Sequence, residues 1–255
     1  MYNVVICEDE EIIRKGLIFS FDFQSLKLMV VADFDTPVSC LEYLKDHKVD
    51  IIITDIKMPL MTGLEMISKI EDKKKYEFII LSGYSDFEYA KKAISYGVTE
   101  YLVKPLDHKL LEVSLKKAIL NLNDKQLLNN AKFQVKDLSK VYKDIDNEDA
   151  LLQAIIKFIK NNYMHKIMLN DVAKELNYSV SSIKNKLKEH DITFNTTLNS
   201  FRIYQAITLM SLKEYPIYQI AKMVGFSDYK YFCSKFKSYT GYSVTELVNK
   251  RPKEL

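Results

Sequence analysis

Val49-Asp50-Ile51-Ile52-Ile53-Thr54-Asp55-Ile56-Lys57-Met58-Pro59-Leu60-Met61-Thr62-Gly63 is the stretch from which the fold of this 255-residue chain can be read. Ile51, Ile52 and Ile53 are β-branched and unbroken, as suits a parallel strand buried on both faces, and the strand stops at a single carboxylate, Asp55. Ligands of open α/β sheets sit beyond the carboxyl ends of such strands, so Asp55 stands where chemistry can reach it. Pro59 and Gly63 mark a loop, after which Leu64, Ile67 and Ile70 return at helical spacing. On this stretch alone, Asp55 is an acceptor, a metal ligand or a helix cap.

The same alternation extends outward in both directions. Val4, Val5 and Ile6 form a short strand closed by Glu8-Asp9-Glu10-Glu11, and Ile12, Ile13, Leu17 and Ile18 follow at helical spacing. A second strand over residues 28–32 precedes a helix marked by Val38, Leu41 and Leu44. Further strands are read at Phe78-Ile79-Ile80-Leu81 and Tyr101-Leu102-Val103. Five strands alternating with helices predict a doubly wound parallel sheet covered on both faces. In such a sheet the strand ends converge, bringing Glu8 and Asp9, Asp55, Ser82 and Lys104 to one edge. The adjacent acids repel one another, and a divalent cation would offset that repulsion. This set of side chains suits phosphoryl transfer to a carboxylate: Mg2+ takes oxygen ligands, while a lysine and a hydroxyl hold the remaining phosphoryl oxygens.

Glu8-Asp9, Asp55-Ile56-Lys57-Met58-Pro59, Gly63, Ser82-Gly83-Tyr84, Tyr101 and Lys104-Pro105 resemble, in order, the receiver domain of two-component response regulators. The resemblance covers about residues 1–120 and implies a flavodoxin-like fold. It implies Asp55 as phosphoacceptor, with Mg2+ held by Glu8, Asp9, Asp55 and the backbone carbonyl of Lys57. Ser82 and Tyr101 correspond to the switch pair and Lys104 to the phosphate-binding lysine, with a cis bond expected at Lys104-Pro105. The Lys57 and Tyr84 side chains are expected to border the path of attacking water. Aspartyl-phosphate hydrolases are a rival family, but they use a second acid two residues after the nucleophile, where this chain has Lys57.

Composition divides the chain. Residues 1–150 carry 21 Lys and Arg against 26 Asp and Glu, whereas residues 151–255 carry 16 against 8. A basic second half suits a polyanion. The three cysteines and four histidines fall at no disulfide or zinc spacing. The amino terminus does not read as a signal peptide and no apolar run reaches the length of a membrane span, so a cytoplasmic protein without membrane insertion is expected.

Residues 108–150 read as a linking helix. Leu111, Leu115, Ala118 and Leu122 form one stripe, and Leu128, Ala131, Val135, Leu138, Tyr142 and Ile145 form another in a different register, so a short coiled coil is expected. Residues 151–255 contain two similar units, Leu169 through Glu189 and Ile217 through Tyr239, each a short helix, a turn and a second helix. Two helix-turn-helix units joined by a helix can set both second helices into successive major grooves of double-stranded DNA. The second unit, with Ile220, Gly225, Phe226, Phe232, Phe236-Lys237 and Gly241, resembles the carboxyl-terminal signature of AraC/XylS-type transcription regulators. The first departs from it, with Leu187-Lys188 in place of Phe-Lys, no glycine before Phe194 and one residue fewer in the turn. Helical periodicity puts Ile183, Leu187, Phe232 and Phe236 in the core. It turns Val180, Ser181, Lys184, Asn185, Tyr229, Lys230, Ser234 and Lys235 toward the groove.

The two resemblances together imply a DNA-binding response regulator of the kind paired with membrane histidine kinases in low-GC Gram-positive bacteria. Phosphorylation by a sensor histidine kinase, a homodimer in the phosphorylated form, and activation of transcription with RNA polymerase as a candidate partner are the expectations. A regulator of AraC type whose amino-terminal domain binds a small molecule is the alternative. The strand-end acids argue against it.

Overall fold

The computed structural model describes residues 1–83, 87–135 and 149–249. The chain divides into two units, Met1–Asn123 and Asp124–Leu255. The first is built on five parallel strands, β1 (Tyr2–Cys7), β2 (Leu28–Phe34), β3 (Ile51–Asp55), β4 (Glu77–Ser82) and β5 (Glu100–Val103), in the order β2-β1-β3-β4-β5. Helices α1 (Glu11–Ser20), α2 (Pro37–Asp46), α3 (Gly63–Lys69) and α4 (Phe87–Ser95) alternate with them, and α5 (His108–Gln134) follows β5. The expected doubly wound sheet is therefore present.

Strand periodicity assigns alternate residues to two cores. Val4, Ile6, Ile51, Ile53, Ile79 and Leu81 pack on one face with Leu17 of α1 and Leu111 and Leu115 of α5. Val5, Ile52, Phe78 and Ile80 pack on the other with Cys40 of α2, Leu64 and Ile67 of α3 and Ala93 of α4. The helix starts are capped locally. Thr36 accepts from the Ser39 amide ahead of Pro37, while Thr62 and Glu65 close a reciprocal capping box that fixes where α3 leaves the Asp55 loop.

The second unit is helical: α6 (Ala150–Asn162), α7 (Leu169–Leu176), α8 (Val180–Glu189), α9 (Phe194–Leu212), α10 (Ile217–Met223), α11 (Tyr229–Thr240) and α12 (Val244–Asn249). Its core joins Ile155 and Ile159 of α6, Ile183 and Leu187 of α8, Ile203 and Ile207 of α9, and Phe232 and Phe236 of α11.

The linking helix differs from its expected role. Leu111, Leu115, Ala118 and Leu122 are buried in the first unit, and Leu128, Ala131 and Val135 are buried in the core of the second. The phase break between the two stripes has a simple meaning, since each register serves a different unit of the same chain. These residues are thus not free to form the seam of a coiled coil. Leu138, Tyr142 and Ile145 lie outside the described residues, as does most of the boundary expected near residue 150.

Candidate functional site

The parallel register builds the first site. Cys7 pairs with Thr54, so Glu8 and Asp55 leave neighbouring strands side by side, and Asp55 pairs with Leu81 immediately before Ser82. Ser82 pairs with Val103, and the Lys104 amide donates to the Ser82 carbonyl at 2.7 Å. The Lys104-Pro105 bond is cis, as expected. Lys104 Nζ donates to Glu8 Oε2 at 2.6 Å and to Asp55 Oδ2 at 2.8 Å, tying together the ends of three strands. Asp55 Oδ1 accepts from the Ile56 amide at 2.6 Å.

Carboxylate oxygens of Glu8, Asp9 and Asp55 lie within 4.8 Å of one another. Glu8 is 1% exposed, and its Oε1 atom is buried with no hydrogen-bond partner. Burial pushes the Glu8 carboxyl above the ordinary carboxylate range, against the opposing hydrogen bond from Lys104, and Asp55 pushes it further. Burial also works to lower the Lys104 pKa, but its bonds to Asp55 and Glu8 outweigh that and hold the ammonium charged. An orphaned buried oxygen beside two further carboxylates is the donor set of a hard cation, and Mg2+ fits it.

The other expected residues are distributed around this centre. Ser82 is buried, Tyr101 is half-buried against the α2–α4 side of the sheet, and Lys57 is exposed in the loop after Asp55. Tyr84 lies outside the described residues. Two supports had not been expected. Arg14 is buried in α1, where its guanidinium donates to the Glu8 carbonyl at 2.6 Å and to Asp33 Oδ2 at 2.8 Å, bracing the acidic turn against β2. Gly63 sits so close that a Cβ there would lie 2.0 Å from the Asp55 carbonyl oxygen. The loop can return past Asp55 only because that residue has no side chain.

In the second unit the residues expected to face DNA lie wholly or partly at the surface. Ser181, Lys184, Asn185, Tyr229, Lys230 and Ser234 are exposed, while Val180 and Lys235 are half-exposed and Lys235 Nζ stands over the Tyr231 ring, 5.4 Å from its centroid. Ser179 caps α8 and Asp228 caps α11, each accepting the amide three residues on. Arg202 of α9 is buried, although an arginine in a helix ordinarily faces water. It donates to the carbonyls of Tyr163 and His165 at 2.8 Å each.

Comparison with known proteins matches both units to known domains. Residues 4–116 match the response regulator receiver domain model, and residues 172–250 match a helix-turn-helix domain model. An uncharacterized response regulatory protein of Staphylococcus epidermidis is 34% identical over 254 residues, covering 99% of this chain and 100% of that protein. The chain is a response regulator. The transcriptional regulatory protein HptR of Staphylococcus aureus is 34% identical over 241 residues, covering 94% of this chain and 95% of HptR. The receiver domain of AraT, a response regulator from Geobacillus stearothermophilus, is 35% identical, with a TM-score of 0.44 and coverage of 49% of this chain and 98% of that one. This response regulator is a phosphorylation-dependent, DNA-binding transcription regulator and not an enzyme. Its receiver domain implies a phosphodonor kinase, and its helix-turn-helix domain implies DNA as the partner. Among the described residues, no helix is long and apolar enough to cross a membrane.

Proposed function

We propose that Asp55 is the phosphoacceptor and that a sensor histidine kinase is the donor. An Asp55 oxygen attacks the phosphorus, the bond from phosphorus to the kinase imidazole nitrogen breaks, and that nitrogen keeps the electron pair. The observation that carries this reading is the position of Lys104 Nζ, bonded to both Asp55 and Glu8 beside the orphaned Glu8 oxygen. Mg2+, held by Glu8, Asp9, Asp55 and the Lys57 carbonyl, would offset charge between the acids and the phosphoryl group. Lys104 then exchanges a carboxylate partner for a phosphoryl oxygen, Ser82 donates to another, and Tyr101 turns inward behind Ser82.

Val180, Ser181, Lys184 and Asn185 of α8, with Tyr229, Lys230, Ser234 and Lys235 of α11, face the DNA. Phosphorylation favours a homodimer, which binds paired sites more tightly through effective concentration. Because Leu128, Ala131 and Val135 are buried within one chain, that dimer forms through other surfaces. The output is activation of transcription, with RNA polymerase contacted from the promoter.

Labelling with radioactive acetyl phosphate and Mg2+ tests the acceptor. The parent should take up label, Asp55→Ala should lose it, and Glu8→Ala or Asp9→Ala should retain only weak labelling at the same Mg2+ concentration. Undiminished labelling of Asp55→Ala would remove that residue from its role.

A further inference from the structure

Each helix-turn-helix unit carries a cavity between its second helix and the start of the helix that follows. One, about 580 Å³, lies between α8 and the start of α9, closed on a further side by Ile167, Met168 and Leu169 at the start of α7, and is lined by Lys184, Lys188, Thr193 and Asn195. The other, about 630 Å³, lies between α11 and the start of α12 and is lined by Ser234, Lys237, Ser238, Ser243 and Thr245. The units superpose in sequence through their core residues. Ile183 corresponds to Phe232 and Leu187 to Phe236, so Lys188 corresponds to Lys237, and Thr193 precedes α9 as Ser243 precedes α12.

The lining chemistry is one-sided. Neither cavity is lined by Asp or Glu, although Glu189, Asp191 and Glu246 stand nearby in the chain and Glu246 accepts from the Ser243 amide at 2.6 Å. Lys188 and Lys237 are exposed and have no ion pair among the described residues. A recognition helix meets base edges with its amino-terminal residues, so a lysine in its later turns falls at the border of the groove, where the sugar-phosphate strand passes. Lysine, hydroxyl and amide side chains are the groups that bond phosphate oxygens, and the apolar walls suit the face of a deoxyribose.

We propose that the two cavities are equivalent seats for the DNA backbone, with Lys188 and Lys237 as paired phosphate contacts that hold α8 and α11 at matching depth. This rests on the DNA-binding reading above. It adds two residues outside the base-facing set and gives them a different task. The repetition supports it, because the units differ at most surface positions yet keep the lysine, the hydroxyl and the concavity.

The salt dependence of binding by the full chain tests the proposal, with a fluorescent mixed-sequence duplex as probe. Lys188→Ala and Lys237→Ala should each lower the slope of log affinity against log salt by about 0.9, and the double variant by about 1.8. Lys188→Arg and Lys237→Arg should keep the parent slope. Selection from a random duplex pool should return the parent's preferred site with either alanine variant. An unchanged slope in either single variant would overturn the equivalence, and an altered preferred base would make that lysine a base reader. Loss of binding in the arginine variants as well as the alanine variants, with a lowered melting temperature, would indicate packing instead. Failure of the parent to bind any duplex would overturn the DNA-binding reading itself, a separate result from any of these.

Discussion

The two helix-turn-helix units reach one backbone through different residues. Each turn begins with a residue in the left-handed region, Asn177 at φ 56° in the first unit and Gly225 at φ 90° in the second. The next amide closes the same bond in both, from Tyr178 to the Ala173 carbonyl at 3.0 Å and from Phe226 to the Ala221 carbonyl at 2.9 Å. A second left-handed position follows each recognition helix, at Asp191 in one unit and Gly241 in the other. The glycines missing from the first unit are thus replaced by the two residue types whose short polar side chains best tolerate this conformation. A missing glycine weakens a sequence match without changing the geometry, provided Asn or Asp takes its place and there is room for a side chain.

Room is where the units differ. Asn177 is exposed, but a Cβ on Gly225 would lie 2.5 Å from the Tyr163 carbonyl oxygen and 2.9 Å from an Arg202 nitrogen. The second turn is pressed against the end of α6, and the first faces solvent. Gly225→Ala combines a left-handed penalty with overpacking and should therefore destabilise the protein by about 2–4 kcal/mol. Asn177→Ala meets only the conformational penalty and should cost about 1 kcal/mol. Denaturant unfolding of both variants checks this, and similar losses would mean that the units do not differ in packing as described.

The contact responsible for that difference can be removed from the other side. Arg202 bonds two carbonyls at once, and its guanidinium lies 5.6 Å from the Phe226 ring centroid. Arg202→Met keeps much of the stem packing but loses two charged donors, and it should destabilise by about 1.5–3 kcal/mol. Arg202→Lys should recover only part of this, because a single ammonium does not reproduce the planar fork. If the Gly225 backbone is held in place by Arg202, the cost of Gly225→Ala should shrink in the Arg202→Met background. Strict additivity in that double-mutant cycle would separate the two residues.

The same contrast explains what could be read from sequence. The sheet was legible because Ile51 to Ile53 and Phe78 to Leu81 are unbroken apolar strands, and the converging strand ends identified Glu8, Asp55 and Lys104 as neighbours. Arg14 was not legible, since an arginine in an amphipathic helix ordinarily faces water, and only the fold shows that the Glu8 carbonyl and Asp33 await it. Ile12 misled in the opposite direction, being apolar and at helical spacing yet 89% exposed. The two apolar stripes stand in separate registers, but sequence periodicity cannot tell a partner chain from another unit of the same chain. The structure buries Leu111, Leu115, Ala118 and Leu122 in the first unit and Leu128, Ala131 and Val135 in the second.

The smallest expected effect is the most exact test of the comparison. Asn177→Gly should leave stability within about 0.5 kcal/mol of the parent, because two terms oppose one another: glycine relieves the residual left-handed cost of asparagine but adds freedom to the unfolded chain. The bonds from the Asn177 and Tyr178 amides to the Lys174 and Ala173 carbonyls use only backbone atoms, so they survive the substitution. The α8 cap on Ser179 survives too, since it is two residues away and bonds the Ser182 amide. DNA affinity should therefore be unchanged as well. A stabilisation well beyond that range would mean that Asn177 is strained where Gly225 is not, and a loss of DNA affinity would mean that its side chain, and not merely its φ, serves the first unit.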